Sequence, residues 1–205
     1  MNVLITGCAG FIGSHLTEQL LKRGNHITGT DNYDPFYPRD LKEKNLSQVV
    51  NHPDFKFIQG DIFNKNTLNG CFSYQNPEIV VHLAAKAGVR PSLQDPESYF
   101  NVNVNGTLSI LECMREHGVS KLVFASSSSI YGNNVKVPFS EIDPVDYPIS
   151  PYAASKKVPN YFATHTTIYM DLTYIAFDFL QYMAQGNDPI WLFINSPRQF
   201  LTANQ

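Results

Sequence analysis

Six short apolar or β-branched runs recur along the chain, at Asn2–Thr6, 26–30, Phe55–Gln59, 79–83, 121–126 and, with a weaker pattern, 172–179. Longer segments with helical spacing separate them. The clearest are residues 11–23, with Ile12, Leu16 and Leu20 on one stripe, and residues 98–117, with Val104, Leu108 and Leu111 on another. Gly24 and Gly118 stand where these two helices should stop. Strand, helix and strand repeated this often require right-handed crossovers and a parallel sheet covered on both faces. The expected fold is therefore α/β, a doubly wound parallel sheet with Asn2–Thr6 in a central position. Sheets of this kind bind ligands at the carboxyl ends of their strands. Two loops rich in proline and tyrosine, "DNYDPFYPRD" and "EIDPVDYPISPY", should lie on that edge.

With 205 residues the chain suits one well-cored domain better than two. Hydrophobic residues make up 43% and charged residues 16%, with a formal net charge of −3, which offers no basic field for nucleic acid or an anionic membrane surface. Small neutral or phosphorylated ligands fit better. The three cysteines, Cys8, Cys71 and Cys113, are widely spaced with no CxxC pair. They suit a reducing compartment, and neither a disulfide framework nor a metal site. The chain opens directly on a strand-like run, without a basic leader or a long apolar window, so a soluble, unprocessed, cytoplasmic protein is expected.

The first strand runs into "GCAGFIG", with Gly7, Gly10 and Gly13 between a strand and an amphipathic helix. Such a turn can be no more than a tight corner. It can also bring free N–H groups and the positive end of a helix dipole to a pyrophosphate. Asp31 ends the second strand 18 residues after Gly13, where a carboxylate can accept the hydroxyls of an adenosine ribose and repel a 2′-phosphate. The pair of features therefore points to NAD rather than NADP. Asp61, in "QGDIF" after the third strand, is either an adenine contact or a solvated loop carboxylate.

Beside a nicotinamide, a carbinol carbon can be oxidised if a base removes its O–H proton. "PYAASK" places Tyr152 and Lys156 four apart, on one helical face, where the ammonium favours the phenolate and adds to the effect of the cationic nicotinamide. A YxxxK alone is common and is usually a surface tyrosine with a solvated lysine. Here "FASSSSIYG" puts Ser127 at the end of the fifth strand, 25 residues upstream, with a hydroxyl for the reacting oxygen.

Together "GCAGFIG", "HLAAKAGVRPS", "NVNVNGT", "FASSSSIYGNN" and "SPYAASKK" resemble, in order and spacing from residue 1 to about Lys157, the extended short-chain dehydrogenase/reductase (NAD-dependent epimerase/dehydratase) family. Within it they are most similar to the UDP-glucuronate 4-epimerases. The resemblance implies a Rossmann-like NAD-binding domain with Ser127, Tyr152 and Lys156 as the catalytic residues. It implies NAD contacts from Gly7, Gly10, Phe11, Ile12 and Gly13 at the pyrophosphate and from Asp31, Asn32, Asp61 and Ile62 at the adenosine. Leu83, Ala84, Ala85 and Asn103, with Tyr152 and Lys156, complete the implied NAD set. The implied reaction removes hydrogen from the sugar C4 to bound NAD, turns the 4-keto sugar, and returns the hydrogen to the other face.

Relatives that dehydrate or decarboxylate place an acidic residue just after the catalytic Ser or Thr, whereas Ser128 and Ser129 stand there in this chain, which favours epimerisation. Arg90, with Ser128 and Ser129, could hold the carboxylate of a uronate substrate while Ser127 meets the sugar at O4; the alternative for Arg90 is a solvent-facing loop residue. The resemblance also implies a homodimer through residues 98–117 and the Tyr152 helix.

Past Lys157 the pattern departs. Pro159 removes an N–H and crowds the preceding turn, so a helix is expected to start near it or kink there. A dinucleotide-binding domain over residues 1–179 is expected to be followed by a divergent tail, 180–205, too short for the family's substrate domain. In it "DPIWLFINSP" is similar to a strand segment of Clp protease subunits. Two readings follow: a nucleotide-sugar epimerase, or an impaired copy that only binds a dinucleotide or oligomerises.

Overall fold

The computed structural model describes residues 1–136, 138–140, 142–170 and 173–177. The expected tail at 180–205 lies outside the described residues. Strands β1 (Asn2–Thr6), β2 (His26–Asp31), β3 (Phe55–Gln59), β4 (Ile79–His82), β5 (Lys121–Ala125) and β6 (Thr173–Phe177) form one parallel sheet in the order β3-β2-β1-β4-β5-β6. The strand β1 lies between β2 and β4, in register Thr6↔Thr30 and Thr6↔His82. The chain moves outward from β1 in both directions, and the reversal opens a crevice at the carboxyl ends of β1 and β4.

Alternate residues of the strands feed opposite faces. Val3, Ile5, Ile27, Val81 and Val123 meet Leu16, Leu20 and Leu21 of α1 (Phe11–Lys22) and Leu46 of α2 (Arg39–Leu46). Leu4, Val80, Leu122 and Phe124 meet Leu68 and Phe72 of α3 (Lys65–Gln75) and Ile110, Leu111 and Met114 of α6 (Gly106–His117). Burial of both faces explains why the strands read as near-continuous apolar runs.

The expected helix at 98–117 is interrupted. A short α5 (Pro96–Phe100) leads into a π-helical turn, Asn101–Asn105, before α6 begins. The wider turn shifts the phase of the stripe. Leu108, expected in the core, is 42% exposed, and the buried face is carried by Ile110, Leu111 and Met114. The π turn also brings the Asn103 amide inward, where it is 1% exposed.

Two more helices complete the active edge, α4 (Val89–Gln94) and α7 (Pro151–Met170). Pro159 neither starts nor ends α7 but lies inside it, buried. Its lost N–H costs about 3 kcal/mol in an isolated helix. Packing of α7 against α4, α5, α6 and β6 holds the helix form regardless.

The glycine turn is built on backbone contact. A Cβ at Gly13 would sit 2.2 Å from the Gly7 carbonyl oxygen and 2.8 Å from the Cys8 Cα. One at Gly7, whose φ is +73°, would sit 2.7 Å from the Ala84 nitrogen. Neither neighbour is a side chain that can swing away. Gly13→Ala is therefore expected to cost about 1–3 kcal/mol. Gly70→Ala on α3, which meets nothing within 4 Å, should instead add roughly 0.5–1 kcal/mol. Thermal unfolding of the two variants should move in opposite directions, and equal shifts would refute the close approach.

Candidate active site

The turn between β1 and α1 leaves its donors unused. Gly10 is the N-cap of α1 and supplies no side-chain cap. The N–H groups of Phe11, Ile12 and Gly13 have no hydrogen-bond partner among the described residues. Gly7 and Gly10, which lack side chains, line a cleft together with Leu83, Ala84 and Ala85, so the N-terminal end of α1 and its dipole begin at that cleft, while Phe11, Ile12 and Gly13 are not part of the lining. The donor set and the bare turn fit the pyrophosphate of a dinucleotide.

Asp31 and Asn32, at the end of β2, and Asp61 and Ile62, after β3, line the same cleft. Asn32 Nδ2 donates to Asp61 Oδ2 at 2.9 Å, so the two loops are tied together. Asp31 is more committed than its sequence position suggests. Its Oδ1 accepts the Tyr33 N–H at 2.8 Å and pairs with Lys42 Nζ at 3.2 Å, and its Oδ2 accepts the Ala9 N–H at 3.2 Å. A carboxylate has about four lone-pair sites. One on Oδ2 is left, so Asp31 has room for one further hydroxyl donor rather than two.

Ser127 follows β5 on the same edge and caps the 3-10 turn Ser128–Tyr131. Its Oγ accepts the Ser129 N–H and donates to Ser129 Oγ, both at 3.2 Å. The helix α7 packs on this turn. Tyr152 is its second residue, with its N–H on Ser92 Oγ at 3.1 Å and its ring edge-on to Tyr99 at 6.1 Å. One turn on, Lys156 is buried; its Nζ donates to the Ala125 carbonyl at 2.8 Å and lies 5.0 Å above the Phe124 ring. The end of β5 and the start of α7 thus put Ser127, Tyr152 and Lys156 on the same edge of the sheet. Burial pushes the Lys156 ammonium down from 10.5 to about 7.

Asn103 does not face the cleft. Its amide accepts the Lys86 N–H at 2.8 Å and donates to the Lys86 carbonyl at 3.0 Å and Ser155 Oγ at 2.9 Å. Arg90, on α4, is exposed, and the cleft lining does not include it. Phe11 is 72% exposed and leans on His15, with ring centroids 4.7 Å apart.

Several site residues escape a reading of the sequence. Lys42 lies in the polar stretch "RDLKEKNL", among exposed cations, but the buried spacing of 42, 46 and 49 is helical, so a lysine on an inward stripe was there to be noticed. Asp34, Phe36 and Tyr37, in the proline- and tyrosine-rich loop expected on that edge, and Lys86 also line the cleft, although the sequence marked the loop rather than these side chains. His82, Thr107 and Ser155 are fully or almost fully buried polar residues beneath the site. Among the described residues no helix is long and apolar enough to cross a membrane.

A parallel α/β sheet with a glycine turn, a carboxylate ending β2 and a Tyr/Lys helix defines a Rossmann-type nucleotide-binding protein. The family model described as GDP-mannose 4,6 dehydratase matches residues 4–176, and the chain belongs to that family. It is 44% identical over 166 residues to Protein CapI of Staphylococcus aureus, covering 81% of this chain and 49% of that protein. A UDP-glucuronate 4-epimerase of Thermodesulfobacterium geofontis is 47% identical over 154 residues, covering 75% and 47%. The crystal structure of a Bacillus cereus UDP-glucuronic acid 4-epimerase, in complex with UDP-glucuronic acid and NAD, superposes with a TM-score of 0.80 at 32% identity. That match covers 87% of this chain and 56% of the other. The chain spans about half the length of the curated relatives it matches.

The position of Lys156 gives stability a pH dependence. The folded state releases this proton above about 7, whereas the unfolded chain holds it to 10.5. The unfolded state binds more protons in that window, so stability rises with pH from about 7 to 10.5 and carries the whole desolvation penalty below 7. Lys156→Met should remove this slope. Urea unfolding at about pH 6 and about pH 9 should show the Met variant gaining most on wild type at the lower pH. A gap that does not change with pH would contradict the burial of an ionisable Lys156.

Proposed function

We propose that the chain is the NAD-binding and acid–base part of a nucleotide-sugar 4-epimerase that acts on UDP-glucuronate. The observation that carries this reading is the meeting, on one sheet edge, of the bare glycine turn with Ser127, Tyr152 and the buried Lys156. The N–H groups at the start of α1 would hold the pyrophosphate. Asp31 Oδ2 and Lys42 Nζ would share the adenosine ribose, with Asn32, Asp61 and Ile62 at the adenine side and Leu83, Ala84 and Ala85 beneath the chain of the dinucleotide. Bound NAD would supply a reversible two-electron acceptor for the hydrogen on the sugar C4. The Tyr152 phenol oxygen, as phenolate, would take the C4 hydroxyl proton and later return it, with Ser127 Oγ hydrogen-bonded to the same oxygen. Lys156 would stabilise the phenolate from one helical turn away.

Epimerisation is preferred over dehydration because Ser128 and Ser129, not an acid, follow Ser127 in the 3-10 turn. The dehydratase reading stays as the second, since the matching family takes its description from one. Uronate recognition by Arg90 requires that the exposed arginine turn toward the serines when substrate arrives. The three cysteines, buried as free thiols, support a reducing, cytosolic setting.

NAD binding by the 205-residue chain is expected to survive Tyr152→Phe, while interconversion of UDP-glucuronate and UDP-galacturonate falls by about 10²–10⁴. In the same assay Arg90→Leu should weaken use of UDP-glucuronate more than that of UDP-glucose. Calorimetric titration with NAD and chromatography of the sugar nucleotides measure these effects. NAD binding without any turnover would favour the non-catalytic reading.

A homodimer is part of the same proposal, supported by Phe100, Leu108 and Tyr161, which leave apolar surface exposed on α5, α6 and α7. Sedimentation should give a dimer that Leu108→Glu dissociates. A monomer at high concentration would remove the idea.

A further inference from the structure

Three donors converge on Asp31. The Ala9 N–H reaches Oδ2, the Tyr33 N–H reaches Oδ1, and Lys42 Nζ reaches Oδ1. Tyr33 holds a left-handed φ of 57°, a conformation uncommon for a large side chain, and in it the N–H addresses the carboxylate. The Lys42 side chain is 9% exposed and that of Asp31 is 6% exposed, and Lys42 has no other acidic partner among the described residues. Two backbone donors and a buried ammonium make a built anion cradle at the cleft, and the Asp31 carboxylate is the anion that fills it.

We propose that this cradle is a latent phosphate site and that Lys42 determines cofactor specificity together with Asp31. With Asp31 in place the chain selects NAD; with the carboxylate shortened, the same donors receive the 2′-phosphate of NADP. The inference rests on the reading of the cleft as a dinucleotide site in which Asp31 faces the adenosine ribose.

The argument is one of occupancy. A carboxylate and a phosphate monoester offer the same kind of oxygen to N–H donors, and a lysine binds phosphate as a point charge. Because Lys42 neutralises Asp31, simple repulsion of a 2′-phosphate is weaker than a lone aspartate would produce. Exclusion comes chiefly from the fact that the donors are already taken. Removal of the carboxylate leaves a buried ammonium without a counter-ion, an expensive state that the arriving phosphate relieves. Lys42 should therefore matter little to NADP in the wild type and decisively once Asp31 is gone.

The test is calorimetric titration of the wild-type chain, Asp31→Ser, and Asp31→Ser with Lys42→Met, each with NAD and with NADP. Wild type should prefer NAD. Asp31→Ser should shift the NADP-to-NAD affinity ratio toward NADP by about 10–100-fold, the worth of a charge-assisted contact. The added Lys42→Met should abolish that shift. Should Asp31→Ser fold poorly alone, its thermal midpoint gives the same answer: NADP should raise it more than NAD, and should lose that advantage in the double variant. Loss of NAD without a relative gain for NADP overturns the inference, as does a gain that persists without Lys42. Wild-type chain that binds neither nucleotide overturns the dinucleotide reading, and this inference with it.

Discussion

A buried hydrogen-bond relay ties the glycine turn to the tyrosine helix, and its direction is fixed at one histidine. The Ala84 N–H donates to Thr6 Oγ1 at 3.2 Å, and Thr6 Oγ1 lies 2.6 Å from His82 Nδ1. His82 Nε2 lies 3.0 Å from Thr107 Oγ1, whose own proton goes to the Asn103 carbonyl at 2.6 Å. Thr107 can therefore only accept from the imidazole, so Nε2 carries the hydrogen and Nδ1 receives the Thr6 hydroxyl. From Asn103 the relay continues through Nδ2 to Ser155 Oγ, and from Ser155 to the Tyr152 carbonyl at 2.8 Å. Each hydroxyl accepts one bond and donates one. A network of this kind is stable because it is complete, since an orphaned buried group costs about 1–3 kcal/mol.

The relay needs a neutral imidazole. Burial, with the Lys156 charge adding to it, pushes His82 from 6.5 down to about 3. The folded state thus binds fewer protons than the unfolded chain between those values, and stability falls as pH drops through the window. At neutral pH the relay is intact. The Asn103 amide holds both backbone groups of Lys86, so the loop over the cleft moves with α7 and with β1 as one body. Groups meant to address two ends of one ligand need this fixed relation, because a misplacement of about 1 Å can cost roughly 100-fold in rate.

The parts of the structure legible in the sequence are those set by local rules. Alternation of strand and helix patterns implies the parallel sheet, and the spacing of Gly7, Gly10 and Gly13 implies the bare turn. The Tyr152–Lys156 interval puts both on one helical face. What stayed hidden depends on tertiary partners. Leu108 lies outside the core although Leu111 of the same helix lies within it, and the π turn before that helix sets Asn103 inward against Lys86 and Ser155. Pro159 breaks the helix rule because α7 is held on several sides. Asp31 was legible as the carboxylate that ends β2, and the spacing of 42, 46 and 49 as an inward stripe, but not the pairing of Asp31 with Lys42, which is made across a loop.

Among the described residues three lysines are buried, and their partners differ. Lys42 meets Asp31 and Lys157 meets Asp146, each at 3.2 Å, whereas Lys156 meets the Ala125 carbonyl and the Phe124 ring and has no acidic partner among the described residues. A structural lysine gains nothing from that arrangement, since a methionine would fill the same space without the desolvation penalty. The arrangement is useful if an anion forms nearby. A phenolate on Tyr152, one turn away, would favour the charged lysine, and the charged lysine would favour the phenolate, so the two titrate as a pair rather than singly. With Lys156 held near 7 until then, its charge would be strongest when Tyr152 has lost its proton. If Tyr152 acts as the base in the way proposed, an anion there would return the stability given up by burying Lys156 without a counter-ion among the described residues.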